Sequence, residues 1–119
     1  MVKSKPLMVK FKKTFNHIKI HTQYSICEGA IKIDDLGKFC KENKIKAVGI
    51  SDTSNLCGSL EFSEQISKSK TQPIIGSQIK FKFNEIIGSL PIIAKNSDGY
   101  KELINLSSKS FLELSLIHI

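Results

Sequence analysis

The chain has 119 residues and a mass of 13.3 kDa, room for one domain at most, and its 40% hydrophobic content is enough to build a core, which excludes disorder throughout. All 18 basic residues are Lys, against 11 acids, for a net charge of +7; without Arg, the usual residue for bidentate base contacts, a sequence-specific DNA reader is not expected. No apolar run approaches the roughly 20 residues that span a bilayer, no apolar signal segment opens the chain, and three Cys without a CxxC pair speak against a disulfide framework or zinc ribbon, so a reducing, cytoplasmic setting is expected.

Residues 1–14 read as a Lys-rich, flexible leader. Six Lys and no acid fall within the first 19 residues, while the remainder carries 12 Lys against 11 acids. The basic character therefore belongs to the N-terminal arm rather than to the domain. Phe15 to His21 alternates apolar and polar residues and predicts a strand, with His17, Lys19 and His21 on one face. Thr22 to Ala30 is a loop. Ile33, Leu36, Phe39 and Cys40 follow helical spacing, with Asp34 and Asp35 in the first turn and Asn43 as the C-terminal cap.

Lys46 to Ser51 is a short buried strand and Asp52 to Gly58 a second loop. Ser59 to Lys70 predicts a helix with Leu60, Phe62 and Ile66 on its apolar side, and Pro73 stops it. Ile74 to Phe83 is extended, Asn84 to Ser89 a loop around Gly88, and Leu90 to Lys95 another strand. Ser97 caps a final helix lined by Tyr100, Leu103, Ile104 and Ser107. The order β-α-β-α-β-β-α predicts an α/β architecture with mostly parallel strands. Neither GxGxxG nor GxxxxGK[ST] is present, which removes the common phosphate loops.

Polar clusters at strand ends are where such folds carry chemistry. Three stand out: His17-Ile18-Lys19-Ile20-His21-Thr22, Ser51-Asp52-Thr53 and Gly76-Ser77-Gln78. The segments FNHIKIHTQYSICEGAIKIDDL, AVGISDTSNLCGSLEFSE, QPIIGSQI and PIIAKNSDGYKELINLSS, in that order, resemble the opening of the PHP (polymerase and histidinol phosphatase) domain at the N-terminus of bacterial DNA polymerase III alpha subunits. The resemblance runs over residues 15–113. It implies the N-terminal part of a distorted (β/α)7 barrel, incomplete here, with 114–119 an atypical tail such as a truncated or frameshifted reading frame leaves. A barrel cut after about four strands leaves an open edge, so the isolated segment is expected to be marginal or prone to aggregate.

Metal-binding members of that family use an HxH pair, a Thr-Asp-His triplet and a Gly-x-Glu. These positions hold Lys19-Ile20-His21, Ser51-Asp52-Thr53 and Gln78. Only His21 and Asp52 keep ligand character, because an ammonium has no lone pair, and hydroxyl and amide are poor replacements. The resemblance thus implies a degenerate metal site, no catalytic residues and no cofactor in this segment. Lys19 is expected to stand in for the metal by neutralising Asp52 or Glu28. His17 and His21 have a plain alternative as hydrogen-bonded histidines, and Asp52 as a cap on the turn that follows it. Cys27, Cys40 and Cys57 are read as small buried hydrophobes, Gly29 as a turn residue, Glu28 as a local acceptor and Tyr24 as a packing residue.

The resemblance implies a segment of a replicative, Mg-dependent DNA-directed DNA polymerase, a nucleotidyltransferase. Its partners would be the rest of the alpha chain, the proofreading exonuclease subunit and, through the whole protein, DNA; no membrane is involved. Two other readings stay open: a free-standing PHP-type metal-dependent phosphoesterase, and a small nucleic-acid-binding module driven by the Lys-rich arm.

Overall fold

The computed structural model describes residues 15–112 and 117–118. The expected leader and most of the expected tail lie outside them. From the N-terminus the elements are α1 (Ile33–Glu42), β1 (Ala47–Thr53), α2 (Ser59–Lys68), β2 (Gln72–Phe83), β3 (Ile86–Ile93), α3 (Ser97–Leu112) and β4 (Ile117–His118). The mixed α/β class and the order from α1 to α3 agree with the sequence reading; β4 falls in the expected tail.

The first expected strand is reduced to a single parallel bridge, Ile20 to Ile50. The Gly49 amide donates to His17 and the Ser51 amide to Ile20, at 2.8 Å each. The ladder then stops because the next amide, Thr22 N, leaves it for the Asp52 carboxylate. Apolar spacing explains α1, which buries Ile33, Leu36 and Cys40, leaves Phe39 half-exposed and ends at Asn43. β1 runs to Thr53 rather than Ser51, since β2 pairs it in parallel from Ala47↔Gln72 to Thr53↔Gln78. In α2, Phe62 and Ile66 are one turn apart and fully buried; Leu60 points outward, against expectation, because it is two positions off that stripe.

Antiparallel pairing of β2 and β3 runs from Gly76↔Ile93 to Phe83↔Ile86, so only Asn84 and Glu85 turn the chain. Asn84 supplies the positive φ, and Gly88, expected in a loop, lies inside β3. Asn96, not Ser97, caps α3: its Oδ1 accepts the Gly99 amide at 2.8 Å. The sheet order is β1-β2-β3, with β4 pairing β2 in parallel at Phe81 and Lys82, past the end of β1.

The main core is a layer of Ile33, Leu36, Cys40, Phe62 and Ile66 packed on Val48 and Ile50, with Ile20, Tyr24, Ile45 and Ile75 around it. Cys40 belongs there as expected. Cys27 and Cys57 do not; both are exposed, because they sit in the loops before α1 and α2. Burial pushes the Cys40 thiol above its ordinary pKa, with a hydrogen bond from Thr71 acting the other way.

Candidate functional site: a hydroxyl cradle around Asp52

Period two places Val48, Ile50 and Asp52 on the helix-covered face of β1, and Ser51 and Thr53 on the opposite face. Gln78 sits beside Thr53 in register. Asp52 is therefore a carboxylate carried to the end of an apolar strand face, 1% exposed. A buried carboxylate needs donors, and the loop after Ile20 supplies them. Thr22 N donates to Oδ1 at 2.6 Å, Ser25 Oγ to Oδ1 at 2.8 Å and Thr22 Oγ1 to Oδ2 at 2.8 Å. Asp52 thus holds a loop 27 to 30 residues earlier and does not cap the turn that follows it.

Ser25 is the node that joins the two faces. Besides donating to Asp52, its Oγ accepts the Thr53 amide at 3.1 Å and lies 3.3 Å from His21 Nδ1. His21 Nδ1 is also 3.8 Å from Glu28 Oε2, which accepts the Thr53 hydroxyl. Glu28 is an acceptor as read from sequence. Gly29 is required here by close approach rather than by turn geometry: a Cβ would overlap the Thr22 and His21 carbonyls, and its φ is not positive.

A second brace lies below. Ser77 Oγ donates to the carbonyls of Asp52 at 2.9 Å and Asn55 at 3.2 Å. Asn55 Nδ2 donates to the carbonyls of Tyr24 and Thr53, and its Oδ1 accepts the Cys57 amide. Tyr24 packs as expected and also donates to Glu61 Oε2 at 2.6 Å. That hydrogen bond, helped by desolvation and the Glu61 charge, raises the Tyr24 phenol above 10.0.

The positions singled out from sequence are only partly brought together. His21, Thr53 and Asp52 meet through Ser25. Lys19 is exposed and forms no ion pair among the described residues, so the expected neutralisation of Asp52 or Glu28 does not occur. Asp52 needs no cation because three donors already satisfy it. Gln78 turns away, with Nε2 donating to Ser89 Oγ across the hairpin at 2.9 Å. His17 is exposed and stacks edge-on with Phe15, ring centroids 4.6 Å apart. Thr22 closes the first polar cluster read from sequence, but Ser25 lies outside all three; the signal for the pair is two hydroxyl residues, three apart, directly after a strand end.

A match to the PHP domain model spans residues 17–116. The chain belongs to the PHP domain family. Its PHP segment is 35% identical over 113 residues to the DNA polymerase III subunit alpha of Helicobacter pylori, covering 88% of this chain and 9% of the relative. It is 38% identical over 120 residues to that of Aquifex aeolicus, covering 85% of this chain and 10% of the relative. For the Buchnera aphidicola protein the identity is 40% over 101 residues, with 82% and 9% covered. The chain spans about a tenth of the length of these curated relatives. Among solved structures, a Bifidobacterium adolescentis protein provisionally named a metal-dependent phosphoesterase shares the PHP fold at TM-score 0.59 and 17% identity, over 76% of this chain and 32% of its own.

The PHP metal positions among the described residues keep little ligand capacity. Among the described residues no group of three or more His, Cys, Asp and Glu comes together that could hold an ion. Both Asp52 oxygens are engaged by protein donors, Lys19 offers no lone pair, and Thr53 spends its hydroxyl on Glu28. No helix among the described residues is long and apolar enough to cross a membrane.

Proposed function

We propose that this chain is the N-terminal PHP scaffold of a DNA polymerase III alpha subunit, inert as a phosphoesterase, which braces the polymerase body and docks the proofreading exonuclease subunit in the cytoplasm. The observation that carries this reading is the state of Asp52. Three of its roughly four lone-pair sites are taken by Thr22 and Ser25, so the strand ends are tied by hydrogen bonds where a metal centre would need free ligands. Identity of 35–40% to alpha subunits supports the assignment to that chain. Nucleotidyl transfer, its Mg ions and the contacts that hold the primer terminus for extension then belong to the other domains of the whole protein.

The test uses the full-length alpha chain. After dialysis it should hold no stoichiometric Zn, Mn or Fe by elemental analysis and hydrolyse no phosphodiester substrate. Asp52→Ala should lower its melting temperature and its primer-extension activity together. Stoichiometric metal with chelator-sensitive hydrolysis would instead establish a PHP phosphoesterase, the reading favoured by the fold shared with the Bifidobacterium protein. Loss of exonuclease binding on deletion of residues 15–113 would support docking; retained binding would move it elsewhere.

A further inference from the structure

Lysines cluster away from the N-terminal arm as well. Lys41, Lys44, Lys46, Lys68 and Lys70 line one concavity of about 520 Å³ at the end of the sheet opposite Asp52. They come from three places: the last turn and exit of α1, the entry to β1, and the last turn and exit of α2. None of the five forms an ion pair among the described residues, and no acid lines the concavity; Asp34 reaches only the adjoining depression, and Lys38 is held by Asp35. The even charge balance of the chain after residue 19 hides this, because the acids fall elsewhere.

Two further features bear on its use. Lys44 and Lys70 have φ of 51° and 57°, the left-handed conformation that favours Gly or Asn after a helix. Both helix exits therefore carry a cation where Gly or Asn would adopt the conformation more easily. Complementing the helix dipoles accounts for Lys41 and Lys68 in the last turns, but not for Lys46 on the strand.

We infer that this concavity binds the phosphodiester backbone of duplex DNA, without reading its sequence. The chemistry selects that ligand. Lys is a point charge, and no Arg fork or helix N-terminus is present to hold one phosphate in fixed geometry, so a run of distributed charge fits better than a single anion. Ile45 is the only apolar side chain in the lining and no aromatic is there, so single-stranded bases have nothing to stack on. The inference goes beyond the scaffold reading and does not depend on it, since the metal content of the whole protein does not report on this surface.

The test titrates the full chain with a labelled mixed-sequence DNA duplex of about 20 base pairs, from about 50 to 200 mM salt. Lys44→Asn/Lys46→Gln/Lys70→Asn removes three charges and suits the left-handed positions, so weakened binding is not a folding defect. The expected result is at least a tenfold weaker complex at low salt and a salt slope smaller by about 3. Lys95→Gln/Lys101→Gln/Lys109→Gln removes as many charges elsewhere and should cost far less. Amine-reactive footprinting of the unaltered chain should show the five lysines protected by duplex and re-exposed at high salt. Equal losses in the two triple variants, unchanged labelling, or displacement by polyglutamate as readily as by duplex of the same charge would overturn the inference.

Discussion

Replacing Asp52 measures how far the hydroxyl cradle holds the strand ends. Asp52→Ala strands the Thr22 amide and the hydroxyls of Thr22 and Ser25, all at residues no more than 1% exposed. Each buried donor left without a partner costs about 1–3 kcal/mol, and the three share one acceptor group, so the sum is less than additive; a loss of about 3–5 kcal/mol is expected. Asp52→Asn keeps an oxygen for Thr22 N and Ser25 Oγ. Its amide nitrogen faces Thr22 Oγ1, which can turn to accept, so that variant should lose only about 1–2 kcal/mol. Urea unfolding followed by circular dichroism gives the two differences, and hydrogen exchange at Thr22 N localises them. A loss under about 1 kcal/mol for Asp52→Ala, or equal losses for the two variants, would refute the cradle as the element that ties the loop to β1.

Other outcomes follow from the same packing. Phe62→Ala empties the fully buried centre of the helix layer and should cost about 3–5 kcal/mol in urea unfolding. Gly58→Ala brings a Cβ to 2.6 Å from the Tyr24 ring and should cost about 1–3 kcal/mol, while Gly29→Ala meets backbone and should cost more; thermal melts rank them. Because Glu61 raises the Tyr24 phenol, the folded state keeps that proton longer than the unfolded chain, and stability falls as pH rises past the ordinary tyrosine value of 10.0. Ultraviolet titration should show the upper midpoint move down in Glu61→Gln. A thiol reagent should modify Cys27 and Cys57 at once in the native protein and Cys40 only on unfolding.

Local pattern determined much of this protein. The spacing of Ile33, Leu36 and Cys40, the apolar run Val48 to Ile50 and the alternation around Ile79 and Phe81 each encode an element through nearby residues alone, and the elements appear where those patterns lie. The ordered segments from Phe15 onward also carried the family. Tertiary structure decided what those patterns leave open. The strand at Phe15 to His21 shrank to one bridge because Asp52, distant in sequence, takes the Thr22 amide. Leu60, Cys27 and Cys57 turned outward because burial depends on which neighbour covers a position, not on the side chain's own hydrophobicity. Asp52 found hydroxyls rather than Lys19, and five lysines from three segments gathered at one end of the sheet. Those arrangements join residues far apart along the chain, and only folding fixes which distant groups meet.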